Sequence, residues 1–211
     1  PPQDPRGRGF KLTQEVTRAA NWIKQQPKNR PWMVSVGMST MHEPVQPPPT
    51  YLVPEGSPPT DGYSCDSAEQ TRELATQMAE ATDKELARLL VEAGLATYRT
   101  DGSLNYDPKR TNTYVIFTSD NGTWNASVRT PFDPTRSKGT PYQTGTWVPL
   151  AIAGPNIANP GRRVEYLTNL SDLFSLFGEI AGIDVKTAVP KSRVLDTEKM
   201  MADPRVDFVN F

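Results

Sequence analysis

Two residue types that often carry catalysis are almost missing: the 211 residues hold one cysteine, Cys65, and one histidine, His42. A lone cysteine excludes an internal disulfide framework and leaves the redox compartment undecided. Long apolar runs are absent too. None approaches the roughly 20 residues that a membrane-spanning helix needs. Charge of one sign is also lacking, since 23 Lys and Arg meet 24 Asp and Glu for a net charge of −1. No global field therefore recruits nucleic acid or an anionic membrane. What is abundant is proline, 21 residues, beside a hydrophobic fraction of 36%. With a mean hydropathy of −0.57 and a mass of 23.4 kDa, the expectation is a soluble, loop-rich unit with room for a core.

Apolar periodicity alternates between helical and extended stretches, which argues for a sheet flanked by helices. Leu12, Val16, Ala19, Ala20 and Ile23 recur at helical spacing and predict a helix over 13–26, with Thr13 as its cap. Trp32 to Met38 reads as a strand, and the proline-rich stretch from His42 to Gly62 as extended loop. Asp66 and Glu69 have the spacing of a capping box, opening a helix that carries Leu74, Met78, Leu86, Leu89 and Leu90 to a stop at Gly94. Residues 97–112 read as a polar connection with Asp101-Gly102 as a turn. Trp147 to Ala153 predicts a further strand, with Pro149 at its edge. Leu173 to Ala181 predicts a helix closed by Gly182. No internal repeat is visible.

The stretch from Tyr114 to Pro149 carries the chemistry. Tyr114-Val115-Ile116-Phe117-Thr118 reads as a buried strand ending in Ser119-Asp120-Asn121-Gly122, and Lys138 follows Asn121 by seventeen residues. In an open α/β sheet the ligand crevice lies at the carboxyl ends of the strands. A carboxylate beside a carboxamide supplies hard oxygen ligands suited to Ca²⁺ or Mg²⁺. Gly122 lets the chain turn away, and Lys138 can bring a compact positive charge to a doubly negative ester head. Taken alone, Asp-Asn-Gly reads as a strand-ending turn and Lys138 as a solvated loop lysine, and only the wider context favours a site. Arg129 and Arg136 flank the loop and read as solvated arginines. The sequons at Asn121, Asn125 and Asn169 are of a kind common by chance.

Strand, Ser-Asp-Asn-Gly, then Lys138-Gly139-Thr140-Pro141-Tyr142 and Gly145-Thr146-Trp147-Val148-Pro149 together resemble the C-terminal half of the sulfatase family, in the alkaline phosphatase superfamily. Upstream, Trp32 to Met38 leads into Thr40-Met41-His42-Glu43-Pro44-Val45-Gln46-Pro47, similar to the family's strand ending in His-x-Pro-x-x-Pro. Downstream, Leu167 to Ile183 resembles its segment "vDLfPTLLelAGi". The matches run in the family's order over most of the chain. There are departures. Gln143, Thr144 and Trp147 stand where the family often has Glu, Gly and Arg. Neither Cys/Ser-x-Pro-x-Arg, whose first residue such enzymes oxidise to formylglycine, nor the family's paired N-terminal aspartates occurs, and Cys65 lacks the Pro and Arg around it.

The resemblance implies an alkaline phosphatase-like α/β fold with a mixed sheet flanked by helices and its N-terminal part missing. The expected layout is a lead-in over 1–12, the catalytic portion over 13–184, and a tail or further segment over 185–211. It implies sulfate ester hydrolysis with Asp120 and Asn121 as ligands of Ca²⁺ (or Mg²⁺), Lys138 as sulfate contact, and His42 as sulfate contact or leaving-group acid. The formylglycine nucleophile is expected in the missing N-terminal part of the same enzyme, so this segment alone should be inactive. The implied substrate is a sulfated small molecule or sulfated glycan. Because bacterial members are often exported, an extracytoplasmic location is favoured. Two alternatives stay open: a phosphate or phosphonate ester hydrolase of the superfamily, and a non-catalytic binding protein derived from the fold.

Overall fold

A computed structural model of the chain describes residues 9–42, 45–59, 62–64 and 66–188. Two compact units emerge. One comprises the described residues up to Asp107 with Phe117–Leu150, and the other comprises Pro108–Ile116 with the residues from Ala151 onward.

The first unit is organised by two helices. Helix α1, Lys11–Lys24, buries Leu12, Val16, Ala19, Ala20 and Ile23, the set that the sequence periodicity picked out. Together with Leu89 they form the core cluster, where burying each large aliphatic side chain stabilises by about 1.5–3 kcal/mol. The helix starts two residues before the expected boundary, and its N-cap is Phe10 with no side-chain cap bond. Thr13 is therefore not the cap. Its hydroxyl donates instead to Glu85 at 2.9 Å, a bond across 72 residues that no local rule anticipates.

Helix α2, Ala68–Glu92, runs 25 residues. Ser67 caps it, its hydroxyl accepting from the Gln70 amide, so the expected Asp66 capping box does not form. Asp66 instead receives the Ser64 hydroxyl at 3.4 Å, and its own amide donates to that oxygen at 3.1 Å. The helix ends at Ala93, and Gly94 takes φ +76° as expected for a stop. Where α1 meets α2, Glu85 is fully buried. Its carboxylate accepts from Arg88 Nε at 2.8 Å and Nη2 at 2.6 Å, while Arg88 also donates to the Thr13 carbonyl at 2.8 Å and to Glu92 at 2.7 Å. The buried charge is thus paired and hydrogen-bonded on several sides, which its burial requires.

The predicted strand at Trp32–Met38 is extended and alternates in burial along its length. Trp32, Val34, Val36 and Met38 pack on the α1–α2 core, and Trp32 meets Trp22 of α1 edge to face at 6.2 Å. Yet among the described residues no ladder partner pairs with it. The pattern is that of a strand, but the neighbouring chain that completes one is not found among the described residues.

Residues 97–112, expected as a plain connection, hold an antiparallel hairpin. Strand β1, Ala96–Tyr98, pairs with β2, Leu104–Tyr106, in the register Ala96 to Tyr106 and Tyr98 to Leu104. Its turn carries Gly102 at φ +81°, and Asp101 accepts from both the amide and the hydroxyl of Ser103. Those bonds, the hydroxyl's foremost, hold the Asp101 carboxyl below the usual range.

The short helix α3, Pro108–Thr111, lies in the second unit. Strands β3, Val115–Thr118, and β4, Leu150–Ala153, form a second two-stranded sheet. The second unit also holds α5, Leu173–Ile180, entered through a capping box at Asn169 and Asp172 and closed at Gly182 with φ +75°, and α6, Val185–Ala188. The one-turn helix α4, Gln143–Thr146, belongs to the first unit. The expected mixture of helices and strands is present, but among the described residues the strands make two separate two-stranded sheets and not one larger mixed sheet. No helix among the described residues is long and apolar enough to cross a membrane.

Candidate metal and anion site

Strand β3 stops at Thr118, and the next residues turn. The Ser119 hydroxyl donates to the Asn121 carbonyl at 2.9 Å, and Asn121 Nδ2 donates to the Gly122 carbonyl at 2.8 Å. Only the amide nitrogen can donate to a carbonyl, so the orientation of the Asn121 side chain follows from its partner, leaving Oδ1 as an acceptor. Asp120 beside it is exposed and Asn121 half-buried.

From Gly122 the chain enters a backbone ladder with a distant loop. The Gly122 amide donates to the Gly145 carbonyl at 3.0 Å and the Thr123 amide to Thr144 at 2.8 Å. The Lys138 amide donates to Thr123 at 2.8 Å. The turn that carries Asp120 and Asn121 is therefore tied to the backbone of Lys138 by main-chain bonds that do not depend on a flexible side chain. Gly122 is required here, because an added Cβ would collide with the Thr144 and Gly145 backbone. The lysine loop is itself ordered. Asp133 caps the 3-10 turn Pro134–Arg136, Ser137 is buried, and Arg136 stacks over the Tyr142 ring at 4.6 Å. Bonds from the hydroxyl and then the amide of Thr135 hold the Asp133 carboxyl below the usual range, with nearby Arg136 adding to them.

His42 stands elsewhere in the first unit, after the unpaired extended segment, and the ladder does not include it. It follows Met41, which has φ +66°, a left-handed conformation that costs a non-glycine residue about 1–2 kcal/mol. The Ser39 amide at the start of this turn donates to Glu15 of α1 at 3.0 Å, fixing where the segment ends. Glu43 and Pro44 of the His42 block lie outside the described residues, as does Cys65.

The donor set fits a hard cation in part. Asp120 and Asn121 present oxygen only, the type Ca²⁺ or Mg²⁺ prefers. Two such residues are fewer than either ion needs, and no group of three or more His, Cys, Asp or Glu suited to a metal occurs among the described residues. A cleft of about 630 Å³ opens at the start of α2, lined by Tyr63, Glu69, Glu73 and Arg129 among others. None of Asp120, Asn121, Lys138 or His42 lines it, and the arrangement of the ladder is the stronger guide to the chemistry. Arg129 lines that cleft and donates to the Thr76 hydroxyl at 2.5 Å while staying exposed, in keeping with its reading as a solvated arginine.

The sequence profile of the sulfatase family matches residues 3–183. The chain belongs to the sulfatase family. It is also 36% identical over 73 residues to Arylsulfatase K from Xenopus laevis. That match takes in 35% of this chain and 12% of the relative, so the chain corresponds to a minor part of that protein's length. Within the sulfatase family frame, the residues that sequence reasoning missed are Thr123, Ser137 and Thr144. They act through backbone and hydroxyl bonds, for which residue type alone gives no signal.

Proposed function

We propose that this sulfatase-family chain carries part of the metal and sulfate site of an enzyme that hydrolyses sulfate esters. The observation that supports the reading is the ladder through Thr123, which ties the backbone after Asp120 and Asn121 to that of Lys138 in a family whose chemistry is sulfuryl transfer.

In this reading Asp120 and the Asn121 Oδ1 hold a divalent cation, Ca²⁺ or Mg²⁺, which when bound would supply Lewis-acid stabilisation of charge on the transferring group. Lys138 contacts the sulfate and offsets its negative charge as the ester bond breaks. His42 contacts the sulfate or protonates the leaving oxygen, a task suited to an imidazole near neutral pH. The nucleophile of formylglycine type and the remaining ligands come from polypeptide N-terminal to these residues. The substrate is a sulfated small molecule or a sulfated glycan. Trp32–Met38 has no ladder partner among the described residues, which supports a sheet completed by strands outside them.

The test is a paired assay of the complete enzyme on an aryl sulfate and the matching aryl phosphate, with and without Lys138→Ala. Sulfate hydrolysis that collapses in the variant is expected. Preference for the phosphate would move the protein to the phosphohydrolase branch of the superfamily, and sulfate turnover indifferent to the variant would remove Lys138 from the site.

A further inference from the structure

We propose that Thr144 and Gly145 are positioning residues for Lys138, a role that rests on the sulfate reading of that lysine. A lysine side chain is long and rotamer-rich, so its ammonium is placed only as well as its backbone is held. Thr144 and Gly145 hold that backbone from one side and the oxygen ligands from the other.

Towards the metal half of the site they act through carbonyls. Thr144 O accepts the Thr123 amide at 2.8 Å and Gly145 O the Gly122 amide at 3.0 Å. Towards the lysine they act differently. The Thr144 hydroxyl donates to the Arg136 carbonyl at 2.8 Å, two residues before Lys138. Gly145 has no Cβ, which lets it lie against the carbonyls of Ser137 and Thr140, and an added Cβ would also meet the Thr140 hydroxyl at 2.8 Å. Ser137, the residue directly before Lys138, is 4% exposed. Its hydroxyl donates to Pro134 at 2.7 Å, while its carbonyl accepts the Thr140 amide at 3.0 Å and hydroxyl at 2.7 Å. Two adjacent residues thus tie the Gly122–Thr123 segment to the residues that lead into Lys138.

Thr144 stands where the family often carries glycine. A glycine would keep the carbonyl half of this arrangement and lose the hydroxyl half. This chain has therefore added a tie to the loop that bears its lysine, and Thr144 sets Lys138 without touching the sulfate itself.

The experiment compares wild type, Thr144→Ala, Thr144→Ser and Gly145→Ala. Lysines are labelled by ¹³C-methylation, the Lys138 resonance is titrated with sodium sulfate, and exchange of the Lys138 amide is followed in parallel. Thr144→Ala should raise the apparent sulfate Kd at Lys138 and speed exchange of its amide about fivefold, the scale of one ordinary hydrogen bond. Thr144→Ser should restore both. Gly145→Ala should exceed Thr144→Ala, and where it fails to fold the two threonine variants decide alone. Wild-type values in Thr144→Ala, or no rescue by serine, would overturn the proposal. A wild-type Lys138 resonance that ignores sulfate would instead sink the sulfate reading, while amide exchange still decides whether Thr144 positions the lysine.

Discussion

The amide of Lys138 donates to the carbonyl of Thr123 at 2.8 Å. That bond joins a loop lysine to the turn carrying Asp120 and Asn121 across fifteen residues of sequence.

Lys138→Ala should lower sulfate-ester turnover of the complete enzyme more than about tenfold, the usual scale for removing one preorganised charge from a transition state. Thermal unfolding should be nearly unchanged, because the side chain is exposed. Steady-state kinetics beside calorimetry check both.

Replacing Gly122 by alanine puts a Cβ into the Thr144 and Gly145 backbone. Neither neighbour is a flexible side chain that can swing aside. A loss of roughly 1–3 kcal/mol is expected, as for overpacking elsewhere, together with weaker divalent cation binding. Denaturant unfolding and a Ca²⁺ titration measure the pair. Wild-type values in both would remove Gly122 from the ladder.

Glu85→Ala should destabilise the α1–α2 pairing by about 2–3 kcal/mol. The full cost of orphaning a buried charge is reduced here because Arg88 is 26% exposed and reaches solvent. Glu85→Gln, which still accepts from Thr13, should cost less. The order of the two midpoints in urea is the check.

The Asp133 carboxyl is held below its ordinary range by Thr135, so its contribution is present above the unfolded-state pKa and fades as pH falls through the folded one. The loop bearing Lys138 should therefore loosen only in acid, below the ordinary carboxylate range. Thr135→Ala should bring that onset to higher pH. The resonances of Arg136 and Ser137 followed against pH report it, and an onset that does not move would discount the cap.

Amides from Trp32 to Met38 should exchange with solvent far faster than those of α1 and α2, because the segment has no ladder partner among the described residues. If the proposed N-terminal polypeptide supplies the missing neighbours, the same amides should be protected in a protein that includes it. Hydrogen exchange of the two proteins side by side makes the comparison, and equal exchange in both would count against a missing strand.

Much of this was legible in the linear chain, and the reason is locality. The faces of α1 and α2 follow from side-chain period, and the stops at Gly94 and Gly182 follow from the conformational freedom of glycine, realised at φ +76° and +75°. Helix starts were read less well. Thr13 and Asp66 both look like caps, but Thr13 had a better partner in Glu85, and Ser67 stood one residue closer to the first turn than Asp66. The hairpin at 96–106 was hidden because its strands are three residues each, too short to show a period.

By itself the sequence determined the helical faces, the oxygen character of Asp120 and Asn121, and the family, because these reside in residue type and spacing. Tertiary structure alone decided that Thr123 accepts from Lys138, that the Thr144 hydroxyl ties down Arg136, and that Trp32–Met38 packs one face on the helices yet finds no strand beside it among the described residues. Every residue carries a main-chain donor or acceptor, so residue type cannot say which carbonyl a given amide will meet. Only the path of the folded chain makes that choice.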